Sequence, residues 1–106
     1  MDAFDLAGLM TAQREGGRPY HEFLRKESLS VGLYVLPAGG TDGQRPHAED
    51  EVYYVVAGRA RFRAGADDRP VTAGTVLFVA AGVDHRFHEI AEDLTLLVFF
   101  APAESA

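Results

Sequence analysis

From Leu29 onward, every apolar stretch of the chain is short, rich in β-branched and aromatic residues, and closed by Gly, Pro or Asp. In LSVGLYVLP, Leu29, Val31, Leu33 and Val35 alternate with smaller positions before Pro37 ends the run. This period of two is that of a strand with one buried face. EVYYVV follows a loop containing Gly39, Gly40 and Gly43. Gly58 marks a turn into RARFRA, whose Ala60, Phe62 and Ala64 form the apolar side. GADDRP is a turn, VTAG leads into VLFVA, AAGVD is another turn, and HRFHEI and LTLLVFF read as two further strands before APAESA. Short strands at regular spacing predict an all-β sandwich or barrel. Phe78, Phe99 and Phe100 are expected in its core.

Ahead of this region, FDLAGLMTAQ has helical character and GGRP breaks it, which predicts one short N-terminal helix. YHEFLR then reads as an edge strand. The expected organisation is a helix and edge strand over residues 1–28 and a barrel over residues 29–102. At 106 residues there is room for one core only. With 47% hydrophobic and 25% charged residues the chain has the balance of a globular domain. No apolar run reaches the ~20 residues of a membrane helix, and the acidic start MDAFDLAGLM lacks the basic flank of a secretory signal, so a cytoplasmic location is expected. A net charge of −6 disfavours nucleic-acid phosphates. Arg59, Arg61 and Arg63 share one strand face and read as a solvated one.

The chain has no cysteine, so any metal must be held by His and carboxylate. His47 and Glu51 are four apart and would point to the same side of an extended strand, with Glu49 between them at the same parity. His85 follows a Gly-containing turn. Two imidazoles and one carboxylate would leave a divalent ion with open positions, an arrangement suited to catalysis more than to structure. His88 differs in parity from His85 and should face outward, and His21 reads as a surface or packing residue. Tyr53 shares parity with Glu51, and Phe87 with His85, so both are candidates to line a pocket or to fill the core.

Two segments carry a family resemblance. Gly39 is followed by GTDGQ, Arg45, Pro46, His47, AED, Glu51, VYYVVA and Gly58. This resembles the first cupin motif, with Arg45 where the first of two histidines should stand. Gly74, TVLFV, Ala80, Ala81, Gly82, VD, His85, RFH and Glu89 resemble the second, with Ala80 for its Pro and Glu89 for its Asn. The resemblance covers roughly residues 29–102 and is closest to small stand-alone bacterial cupins. It implies a double-stranded β-helix, or jelly-roll, barrel, often a homodimer, with one divalent transition metal (Fe, Mn, Ni or Zn) held by His47, Glu51 and His85. A dioxygenase or isomerase acting on a small oxygenated or acidic metabolite would be typical. A non-catalytic small-molecule binding module and a metal-free barrel are the alternatives. Guanidinium cannot ligate a metal, so Arg45 is read either as a substrate clamp or as a solvent-facing residue. Gln44 is a replacement ligand through its amide oxygen, and Glu49 rivals Glu51. Sheet edges left near YHEFLR are expected to pair with a second copy.

Overall fold

The computed structural model describes residues 1–105. Its elements are α1 (Leu6–Gly16), β1 (Tyr20–Lys26), β2 (Leu29–Leu36), β3 (Asp50–Ala64), β4 (Asp67–Thr72), β5 (Val76–Val79) and β6 (His85–Ala101). The helix stops at Gly17, whose left-handed backbone (φ 71°) lets its N–H close back on Gln13 and Arg14 carbonyls. No helix among the described residues is long and apolar enough to cross a membrane.

All strands are antiparallel, in the order β1-β2-β6-β3-β4, with β5 pairing β3. The frame is the pairing of β3 with β6, which runs from Asp50↔Ala101 to Ala64↔His85. Here the structure differs from the sequence reading: Gly58 does not end a strand, and HRFHEI and LTLLVFF are one strand. Both long strands instead bend. Register shifts between Val55 and Arg61 mark the bend, where Gly58 takes φ 99° and the Asp93 carbonyl occupies the place of a side chain. Such bulges let one strand serve both halves of a barrel. The first half of β3 pairs β5, and its second half forms the β4 hairpin.

Burial alternates along β3 and β5, the parity of β3 switching at the bend between Val55 and Ala60. Tyr53, Val55, Phe62, Val71, Phe87, Leu94, Leu96, Val98 and Phe100 fill the interior, each at most 4% exposed. Phe100 meets its core assignment, Phe99 is half-buried, and Phe78 does not belong to the core: it is 65% exposed. The reason is parity, since Leu77 and Val79 take the inward positions of β5 and leave Val76 and Phe78 outside. Arg59, Arg61 and Arg63 lie on the outer side of β3, where Glu92 and Asp68 pair the first two.

Candidate metal centre

Three chain segments build the site. Glu51 sits at the start of β3, between its cross-strand neighbours Val79 and Phe100, and is 2% exposed. His85 opens β6 and is 3% exposed. His47, expected on the strand, lies instead in the loop before β3, which begins only at Asp50. Two bonds bring the loop to its place: Gly82 N–H donates to the His47 carbonyl (2.7 Å), and Ala81 N–H donates to Asp50 Oδ1 (2.9 Å). The turn preceding His85 is thereby stitched to the segment carrying His47 and Glu51. One ligand atom from each of His47, Glu51 and His85 lies within 4.8 Å of the others.

The protons of this cluster are fixed by its surroundings. A carbonyl only accepts, so His85 Nδ1 donates to Val83 O (2.8 Å) and leaves Nε2 facing Glu51 Oε1 at 3.0 Å. His47 Nδ1 faces the Glu104 carboxylate at 3.2 Å, leaving Nε2 toward Gln44 Oε1 at 3.2 Å. Gln44 is itself oriented: its amide nitrogen donates to Asp42 Oδ2 (2.8 Å), which turns its oxygen inward. Tyr53 O–H reaches Gln44 Oε1 (2.9 Å) and His85 Nε2 (3.1 Å). Neither Glu51 oxygen receives a well-directed hydrogen bond, although both are buried. Lone pairs of His47, Gln44, His85 and Glu51 therefore converge, with one hydroxyl proton among them.

Burial, and then the Glu51 carboxylate, push the Tyr53 hydroxyl well above its ordinary pKa, so it stays a donor. Burial alone would lower the His85 pKa, but the Glu51 carboxylate close to Nε2 and the Val83 carbonyl at Nδ1 outweigh it, and the net direction is up. Burial raises the Glu104 carboxyl pKa, against the pull of His47. A proton on His85 Nε2 is the smallest cation that relieves the repulsion between these lone pairs.

A cavity of about 170 Å³ adjoins the cluster. Gln44, His47, Glu51 and Tyr53 form its polar end; Tyr20, Tyr34, Val98, Phe100 and Glu104 form the rest. The remaining candidates lie elsewhere. Arg45 is exposed and outside the cavity lining. Phe87 is 1% exposed and packs on Tyr53 and Phe62 in the core. Glu49 turns away from the cluster: its Oε2 accepts from the Ser105 N–H and hydroxyl. His88 pairs with Asp68 and Glu89, apart from the cavity.

Residues 32–100 match the family model of the cupin domain. The chain belongs to the cupin family. An uncharacterized protein of Streptomyces coelicolor is 50% identical over 105 residues, 99% of this chain and the whole of that one. Among solved structures, a Thermus thermophilus protein superposes with a TM-score of 0.77 at 27% identity, covering 97% of this cupin and 99% of that chain. An RmlC-like cupin family protein with a double-stranded β-helix fold from Methanocaldococcus jannaschii gives a TM-score of 0.71 at 16% identity, over 78% of each chain. The double-stranded β-helix expected from the sequence is thus the fold of this cupin.

Asp42, Glu104 and Tyr20 also belong to the site region and were not singled out in the sequence. Asp42 alone left a local signal, since an Asp two residues before Gln44 in a Gly-rich loop is placed for an Asx turn, and Gln44 N–H does donate to Asp42 Oδ1 (3.2 Å). Tyr20 and Glu104 arrive from the two ends of the chain, and no spacing rule reaches them.

Proposed function

We propose that this cupin holds one divalent transition metal ion between His47, Glu51 and His85, and presents it to a small oxygenated molecule in the adjoining cavity. The observation that carries the proposal is the convergence of lone pairs with a single hydroxyl proton between them, including both oxygens of the buried Glu51 carboxylate, which have no protein donor. A divalent cation satisfies every one of these acceptors at once. The Gln44 amide oxygen, held by Asp42, supplies the fourth protein ligand in place of the histidine replaced by Arg45.

When bound, such an ion supplies Lewis-acid or oxygen-activating chemistry, the basis of dioxygenase and isomerase reactions. The chain's own part is to orient and to exclude. Glu104 and Val83 fix which imidazole nitrogens face inward. Tyr53 O–H steadies the Gln44 amide oxygen, and Val98 and Phe100 give the cavity its apolar lining. A binding module that breaks no bond uses the same parts, and turnover of a bound ligand distinguishes the two.

The test is metal analysis of protein purified without chelator. We expect close to one divalent transition metal per chain, retained by Glu49→Gln and lost by His47→Ala and by His85→Ala. Equal metal content in the wild type and both histidine variants would overturn the assignment.

The homodimer belongs to the same proposal, with its seam moved from YHEFLR to β5. Val76 and Phe78 are 63% and 65% exposed on a strand that pairs only with β3, and Tyr54, opposite Val76, adds an exposed ring. An apolar open edge of this kind is normally covered, and a second copy of the chain covers it most simply.

A further inference from the structure

The cavity walls hold carboxylates but no guanidinium or ammonium. Glu51 and Glu104 line it, the buried Asp42 is bonded to the lining residues Tyr34 and Gln44, and no Lys or Arg is among the lining residues. Even with a divalent ion in place, an anionic ligand would meet more negative than positive charge at close range.

The hydroxyls of the lining differ in what they have left to give. Tyr34 O–H is committed to Asp42 Oδ1 (2.6 Å), and Tyr53 O–H to Gln44 and His85. Tyr20 O–H is buried and has no partner. Its position is built into the chain: the tip of the ring lies over Gly32, where any Cβ would overlap it, so glycine at 32 is what admits the tyrosine. Tyr20 and Tyr34 are cross-strand neighbours whose rings meet edge to face at 6.1 Å, and Tyr20 also meets Phe100 at 6.4 Å. The cavity therefore offers an aromatic wall and one free donor.

We propose that the ligand of this site is a neutral, single-ring-sized molecule with one hydroxyl or carbonyl oxygen, its oxygen shared between the metal and Tyr20 O–H and its apolar body lying against Phe100 and Val98. This rests on the metal reading above and narrows the acidic or oxygenated ligand expected from the sequence to the neutral class. The volume agrees: an apolar cavity of about 150 Å³ accepts benzene, and this one is about 170 Å³.

The experiment uses full-length zinc-loaded protein whose metal content is counted first, titrated calorimetrically with phenol and with benzoate at pH 7. Phenol is expected to bind at about 1 mM or tighter, and benzoate at least tenfold more weakly. Tyr20→Phe should weaken phenol about fivefold, the worth of one neutral hydrogen bond, with metal content unchanged. Val98→Phe should abolish phenol binding by filling the cavity while the metal remains. Benzoate binding as well as phenol, no phenol binding to metal-loaded protein, or no loss in Tyr20→Phe would each overturn the ligand class. Absence of metal from the wild type would instead overturn the metal reading, so the two failures are separate.

Discussion

Asp42 is the residue on which the loop before β3 turns, and replacing it has a cost that follows from its bonds. It is 4% exposed and accepts four hydrogen bonds: Tyr34 O–H (2.6 Å) and Gln44 N–H (3.2 Å) at Oδ1, Gln44 amide N–H (2.8 Å) and Phe87 N–H (2.9 Å) at Oδ2. All four partners are donors. Asp42→Ala strands the Phe87 N–H in the core and loses bonds to an ionised acceptor worth ~1.5–3 kcal/mol each, partly recovered where Gln44 and Tyr34 reach water. A net loss of about 3–5 kcal/mol is expected, a large part of the ~5–15 kcal/mol that holds a domain of this size. Asp42→Asn should cost less. Its remaining oxygen can stay at the Oδ2 position for Phe87 and Gln44, and Tyr34 can rotate its hydroxyl to accept from the new amide, so only the long Gln44 N–H bond is lost outright. About 1–2 kcal/mol is expected. Urea unfolding of metal-free protein gives both numbers. Metal titration gives a second readout: Asp42→Ala releases the Gln44 amide and should weaken binding, whereas Asp42→Asn keeps that amide held and should weaken it less. An alanine variant within ~1 kcal/mol of wild type, or an asparagine variant worse than alanine, would refute the reasoning.

Gly32→Ala should destabilise the protein by ~1–3 kcal/mol through overlap with the Tyr20 ring, and Tyr20→Ala should remove most of that penalty in the double variant; additive losses in urea unfolding would count against the contact. The pH dependence of stability should change sign with metal. In metal-free protein the raised His85 and Glu104 pKa values mean the folded state holds protons more tightly than the unfolded chain, where these groups titrate near 6.5 and 4.5. Their stabilisation is complete below those values and is lost as pH rises through the folded ones, so the melting temperature should fall with rising pH across that window. Metal competes with protons for the imidazoles, so metal-loaded protein should gain stability over the same range; parallel pH profiles by scanning calorimetry would contradict this. Phe78→Glu should convert the dimer to monomer in sedimentation at micromolar concentration, with metal content unchanged. A monomeric wild type would refute the seam.

How much of this could be read from the chain depended on the range of the forces involved. The alternation of Ala60, Phe62 and Ala64 with three arginines is local, and it revealed a strand and its buried side. The bend at Gly58 looked like a turn because a glycine with positive φ is the same local signal whether the chain reverses or only bulges, and Glu89, a non-glycine at φ 47° within β6, gave no such signal. Phe78 was misplaced because a four-residue apolar run has no obvious inward side until its register with β3 is known. His47 reached the cluster by a different route from the one its spacing suggested. Its loop is positioned by hydrogen bonds from Ala81 and Gly82, more than thirty residues away. Gln44 stood out as an amide next to a missing histidine, but its orientation depends on Asp42, and that of His47 on Glu104.

Glu104 belongs to a segment following β6 that runs back across the barrel. Its N–H donates to Ser30 Oγ (2.9 Å), Arg25 holds its carbonyl (2.6 Å), and Ser105 is tied to Glu49. One wall of the cavity is therefore made not by a strand but by a few residues anchored at single points. Strand walls cannot move without breaking a ladder, whereas this wall can shift at the expense of a few individual bonds. Adaptability is thus concentrated in one place. Substitutions in 102–105 should alter the size and selectivity of the cavity while leaving the barrel intact, which makes these residues the natural first target for redirecting the protein to a different ligand.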